Sequence, residues 1–194
     1  MKSATKNRDV GKAFPHGNVC LLLDTSSIVR IRNFNESIPL YAQYFELYTL
    51  EKNKKELNYL GEAPERSSWC FEYSMGLIQQ LQAGNIKTLR NGAPYVSMPK
   101  SFEREIDKKF PNNNLSYTDK LMLFFTNCGG DNIALVTNDR ELRSIAEALG
   151  LTTFGAFDLY LMVNKLTERP KNLSDIAYAI EYAKNFIKNM TPSD

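Results

Sequence analysis

Apolar positions along the chain follow two rhythms. Two unbroken apolar runs of strand length lead toward acids: "VCLLL" at 19–23 runs into Asp24, and "IALV" at 133–136 runs through Thr137 and Asn138 into Asp139. Continuous runs of this kind suit strands covered on both faces. Elsewhere apolar residues recur every three or four positions, the period of one helical face. That spacing predicts helices over 39–50, with apolar residues at 40, 41, 44, 45, 47 and 48, and over 63–84. Further helices are predicted over 100–110 (stripe Phe102, Ile106, Phe110), 115–127, 140–150, 157–166 and 173–190. The proline-bounded "PYVSMP" at 94–99 and "LTTFGAFD" at 151–158 supply two short strands. Residues 1–17 are polar, basic and without period, the pattern of a flexible arm.

Strands alternating with helices imply a mainly parallel sheet between helical layers, in which ligands sit at the carboxyl ends of the strands. Both acid-tipped strands therefore deliver a carboxylate to one edge. Glu105 lies about two turns beyond "YVSMP" and, on a helical wheel, flanks the apolar stripe of its helix rather than facing open solvent. Asp119 lies in the first turn of the helix opened by Ser116. Each acid has a plainer reading. Asp119 and Asp139 could cap helices, Asp24 could begin a turn, and Glu105 could pair with Lys109. Capping does not by itself require all four to meet at one edge.

Composition narrows the chemistry. The chain has 194 residues, 43% hydrophobic and 24% charged, with a net charge of +2, so nucleic-acid contact would need a local patch rather than a cationic body. Three cysteines without paired spacing and a single histidine, His16, argue against a disulfide framework, a zinc site and a histidine-based nucleophile. No run approaches the ~20 apolar residues of a membrane span, and a cytoplasmic location is expected. Close carboxylates repel, and an oxygen-only set suits Mg²⁺ or Mn²⁺. Such a site fits metal-assisted phosphodiester hydrolysis. The stretch "DTSSI" puts Ile28 where a D-x-S-x-S adhesion site needs serine, and Ser26 where a D-x-D phosphatase needs an acid.

In order, "LLLDTSSI", "MPKSFEREI", "LSYTDKLML" and "ALVTNDRELRSIAEALGL" resemble a PIN domain, over roughly residues 18–158. A helical insertion over about 33–93 after the first strand and a C-terminal helix within 167–194 are additions to that family's pattern. The resemblance implies a Rossmann-like three-layer α/β/α sandwich and a nuclease domain over 18–166. It also implies a Mg²⁺- or Mn²⁺-dependent endoribonuclease, with Asp24, Glu105, Asp119 and Asp139 as acids and Ser26, Thr137 and Asn138 in support. Glu46 and Glu72 are rivals for the second acid; Glu105 is preferred because it follows a strand. The roles left open are a toxin of a toxin–antitoxin pair, an RNA-processing nuclease, or a PIN-like RNA-binding or scaffold module that does not cleave.

Lys120, Arg140 and Arg143, beside site acids, are candidates for phosphate contacts with single-stranded or structured RNA, and Tyr117 is a candidate for stacking on a base. The row Lys100, Arg104, Lys108 reads as a solvated face. The stripe of the last helix could complete the core, form a homodimer or seat an antitoxin-like inhibitor.

Overall fold

The computed structural model describes residues 19–62, 68–89, 97–168 and 173–190. Five parallel strands form one sheet: β1 (Cys20–Leu23), β2 (Glu46–Leu50), β3 (Ile86–Leu89), β4 (Ile133–Val136) and β5 (Thr153–Phe154), in the order β3-β2-β1-β4-β5. β1 is central, with Leu23 level with Thr49 of β2 on one side and Val136 of β4 on the other.

The unbroken apolar runs are explained by the layers. Successive strand side chains point to opposite faces, and here both faces are dry. Leu21, Leu23, Leu47, Ala134 and Val136 join one core, against α1 (Thr25–Ile28), α2 (Phe34–Tyr41), α3 (Glu51–Glu62), α4 (Ser68–Gln82), α8 (Ala156–Thr167) and α9 (Leu173–Met190). Cys20, Leu22, Tyr48, Leu50, Ile133 and Leu135 join the other, against α5 (Lys100–Lys109), α6 (Tyr117–Gly129) and α7 (Arg140–Ala148). Leu21, Leu22 and Leu23 are fully buried. Each contributes about 1.5–3 kcal/mol by leaving water. The result is the expected three-layer α/β/α sandwich.

The connections from β1 to β2 and β2 to β3 run over the first face, and those from β3 to β4 and β4 to β5 over the second. The reversal leaves a crevice outside the carboxyl ends of β1 and β4.

Three expectations are corrected. The predicted helix over 39–50 is α2 ending at Tyr41, a turn, and then β2. The 33–93 segment is consequently no helical insertion, since it carries two of the five strands as well as α2, α3 and α4. Of the predicted strand at 94–99, residues 94–96 lie outside the described residues, and 97–99 are irregular chain leading into α5. The arm at 1–17 also lies outside. Gly150, expected to close a helix, follows α7 at φ +76°, a left-handed conformation that costs glycine little.

Candidate functional site

Asp24 follows β1 directly and remains in the plane of the sheet, its N–H donating to the Val136 carbonyl at 3.0 Å. Its side chain is buried. α1 begins at the next residue, yet the Asp24 carboxylate makes no capping bond to it. Its Oδ2 instead accepts from Ser26 Oγ at 2.7 Å and from Thr137 Oγ1 at 2.9 Å. A hydroxyl has one proton to give and two lone pairs to accept with. Ser26 Oγ also accepts the N–H groups of Asn138 at 2.9 Å and Asp139 at 3.1 Å, and Thr137 Oγ1 accepts that of Asp139 at 3.1 Å. The two hydroxyls therefore join the β1 tip to the start of α7.

Burial pushes the Asp24 carboxyl up to about 6. The Ser26 and Thr137 hydroxyls pull it down, the negative charge of Asp119 pushes it up, and the Thr25 N–H pulls it down slightly. Asp24 is thus an acid held out of water that also feels the charge of a second acid. The reading of Asp24 as a simple helix start does not describe this side chain.

For Asp119 and Asp139 the plain reading holds as far as it goes. Ser116 and Asp119 form a capping box at α6: Asp119 N–H donates to Ser116 Oγ at 3.1 Å, and Asp119 Oδ2 accepts the Ser116 N–H at 2.7 Å. Asp139 caps α7, its Oδ1 accepting the N–H groups of Glu141 at 2.8 Å and Leu142 at 2.9 Å. Each cap engages one carboxylate oxygen. The other oxygen of each makes no hydrogen bond among the described residues, so capping orients these acids without exhausting them.

Glu105 is placed differently from its expectation. α5 turns Ile106 and Phe102 to the core, while Glu105 is exposed and bonded to none of the site acids. Glu46 begins β2, at the opposite edge of the sheet, and pairs with Lys87. Glu72 is exposed on α4. The acid that does reach the β1 tip is Glu56 of α3, whose Oε2 accepts from Thr25 Oγ1 at 2.9 Å, one residue beyond Asp24. Asn53, buried one turn before it, donates through Nδ2 to the Leu23 carbonyl at 3.1 Å and to Thr49 Oγ1 at 3.2 Å, fixing α3 to the ends of β1 and β2. Among the described residues its Oδ1 has no partner.

The basic candidates divide. Lys120 is buried and its Nζ bonds Asp107 at 2.6 Å, joining α6 to α5, so it is not free for phosphate. Arg143 is engaged by Glu147 at 3.0 Å and by Asp158 at 3.4 Å, tying α7 to α8. Asn138 Oδ1 accepts the Ala156 N–H at 3.0 Å, a structural duty at the start of α8. Arg140 is exposed. Tyr117 is 38% exposed, with the Lys52 ammonium 4.0 Å from its ring centroid.

No family model matches the chain, and no curated protein matches it. Among solved structures it is similar to the crystal structure of PAE2754 from Pyrobaculum aerophilum. The TM-score is 0.53 at 18% identity, over 75% of this chain and 90% of that one. The shared feature is the fold: an α/β/α sandwich about a parallel sheet.

Among the described residues no three acidic, histidine or cysteine side chains converge closely enough to form a cage for a metal ion. The donors nevertheless suit magnesium, which is commonly held by one or two carboxylates together with waters and substrate phosphate rather than by an all-protein cage. Asp24 and Asp119 are two such carboxylates, the charge of Asp119 being felt at Asp24. Among the described residues no helix is long and apolar enough to cross a membrane.

Proposed function

We propose that this chain is a metal-dependent endoribonuclease of PIN type, hydrolysing phosphodiester bonds in single-stranded RNA at the carboxyl edge of its sheet. The observation that carries this reading is the buried Asp24 carboxyl, pushed up to about 6 and set beside the charge of Asp119. Such an arrangement is unfavourable in isolation and is relieved by a cation. When bound, a divalent cation supplies an activated water and neutralises charge on the phosphoryl group. Asp24 and Asp119 would hold it, with Asp139 and Glu56 at the rim. Ser26 and Thr137 fix the orientation of Asp24 by donating to the same carboxylate oxygen. Burial of Asp24 keeps water from screening its charge.

The second reading, a binding module of the same fold, draws on the absence of a preassembled three-acid group among the described residues. One assay separates the two. Single-stranded RNA should be cut with Mn²⁺ or Mg²⁺ and left intact in chelator, giving 5′-phosphate and 3′-hydroxyl ends. Sustained cleavage in chelator, or a 2′,3′-cyclic end, overturns the metal-dependent reading; binding without cleavage under any metal establishes the module.

A further inference from the structure

We propose that Lys52 and Tyr117 form a nucleotide-docking pair at the rim of this site, the ring taking a base and the ammonium an adjoining phosphate of single-stranded RNA. The proposal rests on the ribonuclease reading and adds to it the side chains that hold the substrate. Lys52 lies in the first turn of α3, two residues past the end of β2, and Tyr117 is the first residue of α6, two before Asp119. Two helices on opposite faces of the sheet thus begin at the same edge, and the ammonium spans the gap to sit 4.0 Å from the ring centroid.

Charge gives the pair a role beside Arg140, another exposed cation at this edge. Acids at the β1 and β4 tips repel a polyanion, so substrate needs an uncompensated cation close by. Lys120 is neutralised by Asp107, and Arg143 by Glu147 and Asp158. Lys52 is exposed and, among the described residues, pairs with no carboxylate; its contact is the aromatic face. An exposed cation–π contact is weaker than the stacking of a base on an aromatic ring. An incoming base therefore takes the ring, and the displaced ammonium stays within reach of that nucleotide's phosphate.

The test uses a labelled single-stranded RNA on the full chain carrying Asp24→Asn, beside a cleavage assay on the wild type. Tyr117→Leu should weaken binding about tenfold at every salt concentration, while Tyr117→Phe binds like its parent. Lys52→Gln should flatten the slope of log affinity against log salt by about 0.7, the share of one single-strand phosphate. Replacing one nucleotide by an abasic residue reads the same contact without altering the protein. That loss should appear with Tyr117 present and vanish in Tyr117→Leu, whatever the variant's melting temperature. Parent-like affinity in Tyr117→Leu, an unchanged salt slope in Lys52→Gln, or an abasic loss that persists without the ring overturns the docking pair. If the wild type cleaves with metal in those cases, the nuclease reading stands alone. If the wild type neither binds nor cleaves RNA, both fall.

Discussion

Asp24 and Asp139 stand at the tips of neighbouring strands that are paired in register, Leu23 beside Val136, and both follow apolar runs. Their surroundings are opposite. Asp24 comes one residue after its strand, stays in the sheet and is buried, its carboxyl raised and its bonds made to side-chain hydroxyls. Asp139 comes three residues after its strand, clears the edge, is exposed and accepts two helix N–H groups. An offset of two residues converts a strained acid into a well-satisfied one. An acid at a strand tip is thus not a single kind of residue, and its distance from the last paired position decides what it can do.

The sharpest way to break this contrast is to neutralise Asp24. Asp24→Asn should lower RNA cleavage by at least about 10²-fold, the scale of several kcal/mol that metal assistance supplies, and should blunt the rise in melting temperature on adding Mn²⁺. An Asn variant that cuts at the wild-type rate returns Asp24 to an ordinary structural role.

The same substitution should stabilise the metal-free protein. An unfolded Asp24 loses its proton near 3.8 and the folded one near 6, so between these values the native state holds a proton that the unfolded state has lost. Stability contributed by this group is therefore highest below about pH 4, falls as the pH rises to about 6, and stays lower above it. At pH 7 Asp24→Asn should recover on the order of 3 kcal/mol. Melts from pH 4 to 8 in chelator check this; parallel profiles for wild type and variant would contradict it.

Smaller effects sharpen the map of the edge. Glu56→Gln should lower cleavage about tenfold, the effect of losing roughly 1.4 kcal/mol of transition-state stabilisation. Glu105→Gln should leave both activity and stability within about 0.5 kcal/mol of wild type, as exposed positions do. The reverse order in a rate assay would restore Glu105. Asp139→Ala should cost about 1 kcal/mol, the value of a helix cap, while Asp139→Asn retains most of it. Chemical denaturation separates these two outcomes.

Much of this architecture was legible in the residues. β1 and β4 were visible because each is apolar on both faces, and α5, α6, α7 and α8 because each presents one regular stripe. The acids at the tips of β1 and β4 and at the start of α6 followed from topology. β2 was hidden by the same double burial that revealed β1. Phe45, Leu47 and Tyr48 continue the three-four spacing of Leu40 and Tyr41 across a turn, so a strand buried on both faces counterfeited a helix. β3, four residues long with Lys87 exposed and Thr88 half-buried at its middle, left no periodic signal. Without β2 in view, a strand followed by an acid points to 94–99 and Glu105; with it, "YTLEKNKKEL" sets Glu56 beyond β2, where on the proposed function it stands at the rim of the site. The engagement of Lys120 with Asp107 and of Arg143 with Asp158, on other elements, is tertiary and carries no local pattern.

The hydroxyl that Thr137 donates to Asp24 comes from 113 positions further along the chain. Synthesis at about 5–20 residues per second separates the two by several seconds or more. Throughout that interval the β1 tip has no β4 beside it, hence no Val136 carbonyl, no Thr137 hydroxyl and no second wall to exclude water. A nascent chain whose β4 has not yet emerged thus carries Asp24 as an ordinary hydrated acid. On the proposed function, a nuclease that must be translated from RNA becomes dangerous to RNA only after its fourth strand has closed on the first.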